Sequence, residues 1–318
     1  MLYLSSNDIE KVINHEEVVE IIESAMLLYE TGNFTQPDRI TVNRKDKETY
    51  LYMPCFTDEV KGTKILTLYA ENAQKGIPTI QGVMLLNDVQ TGKINCIMEG
   101  STLTAYRTGA VGSCGIKHTT PKNVTTLGIV GTGIQGYYQC LYACKIRNIK
   151  QITVFDIFKD KAEEFKKRLE NALPNVSIRV ADSTEELLSN SEVIVTVTTS
   201  PNPVLPNDAD LLREKHFIGI GSYKPTMQEY PQALFETVDN IFIDVEFAKE
   251  ETGDLINPLR EGWIKENQIH TLGKYLDKEI NVDGTTFYKS VGMALFDITV
   301  ADYIYNKAKK LGIGIELE

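Results

Sequence analysis

The chain has 318 residues, 42% of them hydrophobic and 24% charged, which is enough to bury a large core divided over two domains. Its net charge of −11 argues against nucleic acid or an anionic membrane as the main partner, because phosphate-rich surfaces need a basic face. No apolar run approaches about 18 residues, so no membrane span is expected, and the start "MLYLSSNDIEKV" lacks the features of a secretion signal, which points to the cytoplasm.

In chain order, "SSNDIEKVI" offers cap residues ahead of a helix, and "EEVVEIIESAMLLYE" carries apolar residues at helical spacing. "RITVNRKDKETYLYMP" reads as a hairpin, and "GTKILTLYAEN", "TIQGVMLLND" and "KINCIMEG" follow as strands. The link between the last two, "NDVQTGK", has hairpin-turn chemistry in its Asn, Asp and Gly. Next comes "STLTAYRTGAVGSCGIKH", a helix rich in small residues with Ser101 as its expected cap. From about residue 124 the rhythm changes. Apolar strands "TTLGIV", "QITVFD", "VSIRV", "EVIVTVTT", "HFIGIG" and "NIFIDV" alternate with helical segments, and "TTFYKSVG" makes a seventh strand. Such alternation signals a parallel sheet covered on both faces. A last helix, "MALFDITVADYIYNKAKKLG", lies beyond that sheet and is free to pack back on the N-terminal domain. The expected fold class is α/β: a doubly wound parallel sheet over residues 119–294, plus a second α+β domain with an antiparallel sheet over 1–118 and 295–318.

The five cysteines form no C-x-x-C pair, and the four histidines are scattered, so neither a disulfide framework nor a metal site is expected.

The chemistry is announced by "TTLGIVGTGIQG". Gly131, Gly133 and Gly136 match G-x-G-x-x-G where an apolar strand runs into a helix, the context that makes the pattern informative. Gly131 permits a tight turn, Gly133 lets the backbone approach a pyrophosphate, and Gly136 allows helix and strand to pack closely. The amides at Ile134 and Gln135 open the helix, whose N-terminus favours an anion. Asp156 ends the next strand, twenty residues past Gly136, where a carboxylate accepts the ribose hydroxyls and repels a 2′-phosphate. Lys159 is the one basic side chain in "DIFKDK" considered as compensation. The cofactor expected is NAD, with NADP less favoured and a flavin weaker still.

The order of "DRITV", "YMP", "GTK", "GIPTIQGVMLLNDVQTGK", "MEGSTLTAYRTGAVG" and "LGIVGTGIQG", with "GIGSYKPTMQEYP" and "KSVGMALFD" further on, resembles the ornithine cyclodeaminase/μ-crystallin family. The resemblance covers most of the chain, and "LTAYRTGA" is its most specific element. It implies a Rossmann domain, a substrate-binding and dimerisation domain, a homodimer, and a small amino or imino acid as substrate. Motif by motif, it implies that Arg39, Lys64 and Arg107 line the substrate pocket, where guanidinium groups grip a carboxylate with paired hydrogen bonds. Met53, of "YMP", is either a pocket wall or core. Thr108 is implied to meet the cofactor phosphate, with a helix starting near "RTGA" aimed at it. Thr198 and Ser200, at the end of "TVTTS", are implied contacts on the adenosine or ribose side.

Two departures set this chain apart from true cyclodeaminases. Where that branch has an aspartate two residues before the proline, "GSYKP" has Tyr223; a second acidic position, two before "MP", is Leu51. A diamine substrate would lose both charge partners, and an uncompensated buried ammonium costs several kcal/mol. The preferred reading is therefore a reductase or dehydrogenase acting at the C2–N bond, for example on Δ1-pyrroline-2-carboxylate to give proline, or an opine-type or amino-acid dehydrogenase. In it Arg39 and Arg107 clamp the carboxylate, Lys64 joins the clamp or relays a proton, and Tyr223 either donates to the imine region or walls the pocket. The alternatives are an ornithine cyclodeaminase that recycles NAD, and a non-catalytic, crystallin-like ligand-binding protein.

Overall fold

The computed structural model describes residues 1–44 and 48–318, and divides into two compact units, 1–107 with 293–318, and 108–292. The tip expected for the first hairpin, residues 45–47, lies outside the described residues.

The first unit starts with β1 (Leu2–Leu4) and two helices, α1 (Ser6–Val12) and α2 (His15–Thr31). Ser5 and Asp8 form a capping box on α1, and Asn14 caps α2, which stops at Gly32 in the left-handed region at φ 68°. The strands β2 (Ile40–Arg44), β3 (Glu48–Phe56), β4 (Lys61–Tyr69), β5 (Ile80–Asn87) and β6 (Ile94–Glu99) follow. Their pairing is antiparallel throughout, with Met53 opposite Lys64 and Lys64 opposite Met84. Between β5 and β6 the Asp88 side chain accepts from the amides of Gln90 and Thr91, and Gly92 takes φ 72°, as the turn residues predict.

The helix α3 (Gly100–Thr119) begins before Ser101. Its cap is not Ser101: the carboxylate of Glu99 accepts from the amides of Ser101 and Thr102 at 2.9 and 2.6 Å. Arg107 to Ala110 consequently lie in the middle of a helix, and no helix N-terminus is available there, contrary to expectation.

The second unit holds an all-parallel sheet of β7 (Thr126–Val130), β8 (Gln151–Phe155), β9 (Ser177–Val180), β10 (Val193–Thr196), β11 (His216–Gly219), β12 (Val238–Ile243), β13 (Ile269–Thr271) and β14 (Thr285–Lys289). The main helices in the connections are α4 (Ile134–Ile146), α5 (Lys159–Ala172) and α6 (Thr184–Ser189). The strand order β13-β12-β14-β11-β10-β7-β8-β9 reverses direction at β7, which leaves a crevice beyond the ends of β7 and β10. Seven of these strands match the sequence expectation; β13, with three residues, is too short to show a period.

The chain ends in the first unit with a long C-terminal helix (Ala294–Leu311) and a strand at Ile315–Glu316. That strand pairs with β1, and β1 runs parallel to β6. The sheet expected to be antiparallel is thus mixed. A parallel neighbour needs a long crossover, and the two helices and further strands between β1 and β6 provide it.

The division between units also falls earlier than the expected boundary at 118. The later part of α3 belongs to the second unit because its small residues admit large side chains from that unit. A Cβ on Gly112 would stand 2.0 Å from the Gln139 amide oxygen, and one on Gly115 would stand 2.2 Å from the Tyr288 ring. Arg147 then donates to the carbonyls of Ile116, Lys117 and Thr120, which the end of α3 leaves without helical partners. Among the described residues, no helix is long and apolar enough to cross a membrane.

Candidate active site

In the first unit the inner face of the sheet is set by strand alternation. Leu51, Met53 and Cys55 of β3 are buried, as are Gly62, Lys64 and Leu66 of β4, while Tyr52 and Phe56 point outward and are exposed. The C-terminal helix packs against β3, β4 and β5 with a stripe at 297, 301, 304 and 308, of which three positions are Ala301, Ile304 and Ala308. The fourth is Asp297, fully buried. Its two carboxylate oxygens meet Lys64 Nζ at 2.6 Å and Arg107 Nε at 2.8 Å.

The sequence reading brought Lys64, Arg107 and Met53 forward and missed Asp297, although "KSVGMALFD" ends on it. A signal was present: a carboxylate standing in an otherwise apolar helical stripe must find a cation or remain expensively buried. Burial drives the proton affinity of Lys64 down, and Asp297 opposes this by favouring the ammonium. Arg107 and Arg39 push the other way, and the outcome is a lysine pKa of about 7. Arg39 itself is half-buried, in the segment before β2. Two of these cations touch a single carboxylate, so that pair carries one positive charge in excess, suited to a carboxylate ligand; Arg39 acts through space on Lys64.

In the second unit a cavity of about 740 Å³ lies at the crevice predicted by the strand order. Gly131, Thr132 and Gly133 after β7 line it, with Asp156, Ile157 and Phe158 after β8 and Thr198 to Pro201 after β10. Gly131 takes φ 104°, which an L side chain rarely adopts. A Cβ on Gly136 would come within 2.4 Å of the Gly131 carbonyl oxygen, so this glycine serves helix–turn packing. At Gly133, by contrast, a Cβ would meet nothing within 4 Å. Gly133 is the N-cap of α4 and makes no side-chain cap bond, so the first amides of that helix open on space that a bulky anion can enter. These features fit a dinucleotide.

Asp156 Oδ2 accepts from the Thr132 amide at 3.0 Å and the Thr132 hydroxyl at 2.6 Å, while Oδ1 accepts from the Phe158 amide at 3.0 Å. Thr132, which the sequence reading passed over, thereby fixes the carboxylate at the rim. Lys159 does not serve the groove as considered; its ammonium is 2.5 Å from Asp182. The cation that lines it is Lys161, whose ammonium lies 4.6 Å from the centroid of the Phe158 ring.

Of the expected cofactor residues, Gly131, Gly133, Asp156, Thr198 and Ser200 line the cavity, whereas Thr108, Ile134, Gln135 and Gly136 do not. Thr108 is buried in α3, its carbonyl accepting from Gln139 Nε2 at 2.9 Å. Ile134 is 61% exposed on the first turn of α4. Tyr223 lies in the loop after β11, half-buried, with the Lys224 ammonium 5.5 Å from its ring centroid.

A buried carboxylate also missed by sequence, Glu229, ties these loops together. It accepts from the amide and hydroxyl of Thr198 and from the amides of Gly221 and Ser222, all between 2.7 and 3.1 Å. Its pKa is raised, chiefly by burial. Behind it Asp254 accepts from the Glu229 amide at 2.6 Å and meets Lys289 at 3.3 Å. The ends of β10 and β11 are therefore held together through the hydrogen bonds that Glu229 accepts, with the Asp254–Lys289 ion pair behind it.

A family model described as the ornithine cyclodeaminase/mu-crystallin family matches residues 1–312. A Delta(1)-pyrroline-2-carboxylate reductase of Bacillus thuringiensis subsp. konkukian is 33% identical over the full length of both chains. Among solved structures, the Delta(1)-pyrroline-2-carboxylate reductase of Thermococcus litoralis in complex with NADH and L-proline superposes with a TM-score of 0.93, at 31% identity and full coverage of both chains. An archaeal alanine dehydrogenase dimer with bound NAD gives a TM-score of 0.90 at 26% identity, covering 100% of this chain and 99% of that one.

Proposed function

We propose, for a chain that belongs to the ornithine cyclodeaminase/mu-crystallin family, that it is an NAD-dependent reductase of a small cyclic imino acid, reducing Δ1-pyrroline-2-carboxylate at C2 to give proline. The observation that carries this reading is the charge balance in the first unit. Lys64 and Arg107 both touch Asp297, and two cations against one carboxylate leave a single positive charge, which matches one substrate carboxylate. Leu51 and Tyr223 leave no acidic partner at the two positions where the cyclodeaminase branch has one, which favours a substrate without a second ammonium.

NADH supplies the hydride when bound. The turn at Gly131 and Gly133 and the amides of Ile134, Gln135 and Gly136 hold its pyrophosphate, Asp156 its ribose, and Thr198 and Ser200 the adenosine side. Thr108 is assigned to the phosphates on family likeness alone. For the substrate, Arg107 and Arg39 grip the carboxylate, Lys64 completes the positive field, and Met53 walls the pocket. Gripping the carboxylate orients C2 and removes the entropic cost of encounter, which is the larger part of what the protein adds to hydride chemistry. The reading carries with it a homodimer working in the cytoplasm, a compartment that suits a chain with four buried thiols and no disulfide among its five cysteines.

Purified protein given Δ1-pyrroline-2-carboxylate and NADH should consume the two in equal amounts and yield proline. Formation of proline and ammonia from L-ornithine with only catalytic NAD would replace the reductase by a cyclodeaminase. Nucleotide binding without turnover of any imino or amino acid would leave a ligand-binding protein.

A further inference from the structure

The buried carboxylate of Asp297 belongs to no role assigned so far, although it touches both Lys64 and Arg107. It contacts Arg107 through Nε, the inner edge of the guanidinium, so the two terminal nitrogens of Arg107 stay available for a fork-shaped grip on a carboxylate. Its other oxygen lies 2.6 Å from Lys64 Nζ, an ion-pair contact in which the nitrogen has no hydrogen-bond partner among the described residues, so the ammonium still has protons to give. A carboxylate on the C-terminal helix thus sets the direction of one cation on α3 and of another on β4.

We propose that Asp297 is the positioning residue of the imine reduction, holding Lys64 as the proton donor to the substrate nitrogen while it aims the outer edge of Arg107 at the substrate carboxylate. This rests on the reductase reading above. In the balanced reaction the two electrons arrive as hydride at C2, the π pair of C2=N stays on nitrogen, and nitrogen takes one proton from Lys64 Nζ, which recovers it from water. The geometry makes Lys64 suitable, and its environment agrees. Asp297 from the C-terminal helix raises its proton affinity, while burial, Arg107 from α3 and Arg39 lower it, placing the exchange at about pH 7, where an acid works efficiently. Cys55 on the neighbouring β3 also feels Asp297, and burial raises its pKa to about 12, so it stays a neutral thiol throughout.

The test compares wild type with Asp297→Asn and Asp297→Glu in three measurements on the whole protein. The first is the pH profile of kcat for imine reduction. Donation needs the ammonium, so wild-type turnover should fall as pH rises through about 7. In Asp297→Asn that limb should move about 1–3 units lower, because the carboxylate no longer favours the charged lysine; in Asp297→Glu it should return. The second is a lysine ε-carbon NMR titration, assigned with Lys64→Met, in which the same shift should appear without substrate. The third is NADH binding followed by fluorescence, which should be unchanged in both variants. A wild type that turns over while Asp297→Asn leaves the limb in place would overturn the assignment, and so would a lysine midpoint that does not move. A wild type with no imine turnover, but with the lysine midpoint shifting in Asp297→Asn, would instead remove the reductase reading and keep the Asp297–Lys64 coupling.

Discussion

Arg107 and Asp156 are single side chains whose neighbours decide what they can do. Arg107 is 8% exposed and its Nε is taken by Asp297, so a lysine in its place keeps a positive charge near that carboxylate but loses the flat fork. Arg107→Lys should therefore raise KM for the imino acid about 10- to 100-fold, the worth of a charge-assisted hydrogen bond. NADH affinity, read by nucleotide fluorescence, should stay unchanged; a parallel loss of both would remove Arg107 from the substrate site. Asp156 is held on Thr132 and on the Phe158 amide, and the adjoining Ile157 is 80% exposed. The double change Asp156→Ser with Ile157→Arg removes the charge that repels a 2′-phosphate and supplies one that attracts it. The ratio of kcat/KM for NADPH to that for NADH should rise by about tenfold or more; an unaltered ratio would discredit Asp156 as the ribose partner.

At the level of elements, the glycine turn separates two physical roles that a motif writes identically. Gly136 carries a steric requirement of the fold, since an added Cβ would sit 2.4 Å from the Gly131 oxygen. Gly133 carries none, since its Cβ would enter open space. Gly133→Ala should then cost less than about 1 kcal/mol of stability, the usual difference between these residues at a helix N-cap. It should weaken NADH binding on the order of 10- to 100-fold, by crowding the pyrophosphate off the helix amides. Calorimetric unfolding and NADH titration of the same variant check both halves; equal NADH affinity would mean that the phosphates do not rest on this turn. The α3 helix shows the opposite lesson. Its small residues were readable, but not that Glu99 would cap it, because a cap two residues upstream of the expected one depends on how β6 delivers the chain.

For the molecule as a whole, the outer face of the first unit's sheet has apolar side chains where water would be expected: Ile40 is 53% exposed, Val42 43%, Tyr52 37% and Phe56 37%. A long antiparallel run with such a face is a common place for a second subunit. The protein should sediment as a dimer, and Tyr52→Glu should yield a folded monomer with unchanged circular dichroism; a wild-type monomer would sink the assignment of this face. The alternating strands, the glycine turn and the order of motifs were all legible in the sequence because each depends on residues near one another in the chain. So were Lys64 and Arg107, through the motifs around them. What only the tertiary structure decided was their balance. Asp297 reaches them from the far end of the chain, Glu229 joins two strand ends, and the parallel pairing of β1 with β6 makes the sheet mixed. Local periodicity reveals which side of a helix or strand is buried, but the partner of a buried charge is chosen by elements packed from elsewhere, and that choice sets both its protonation and its direction.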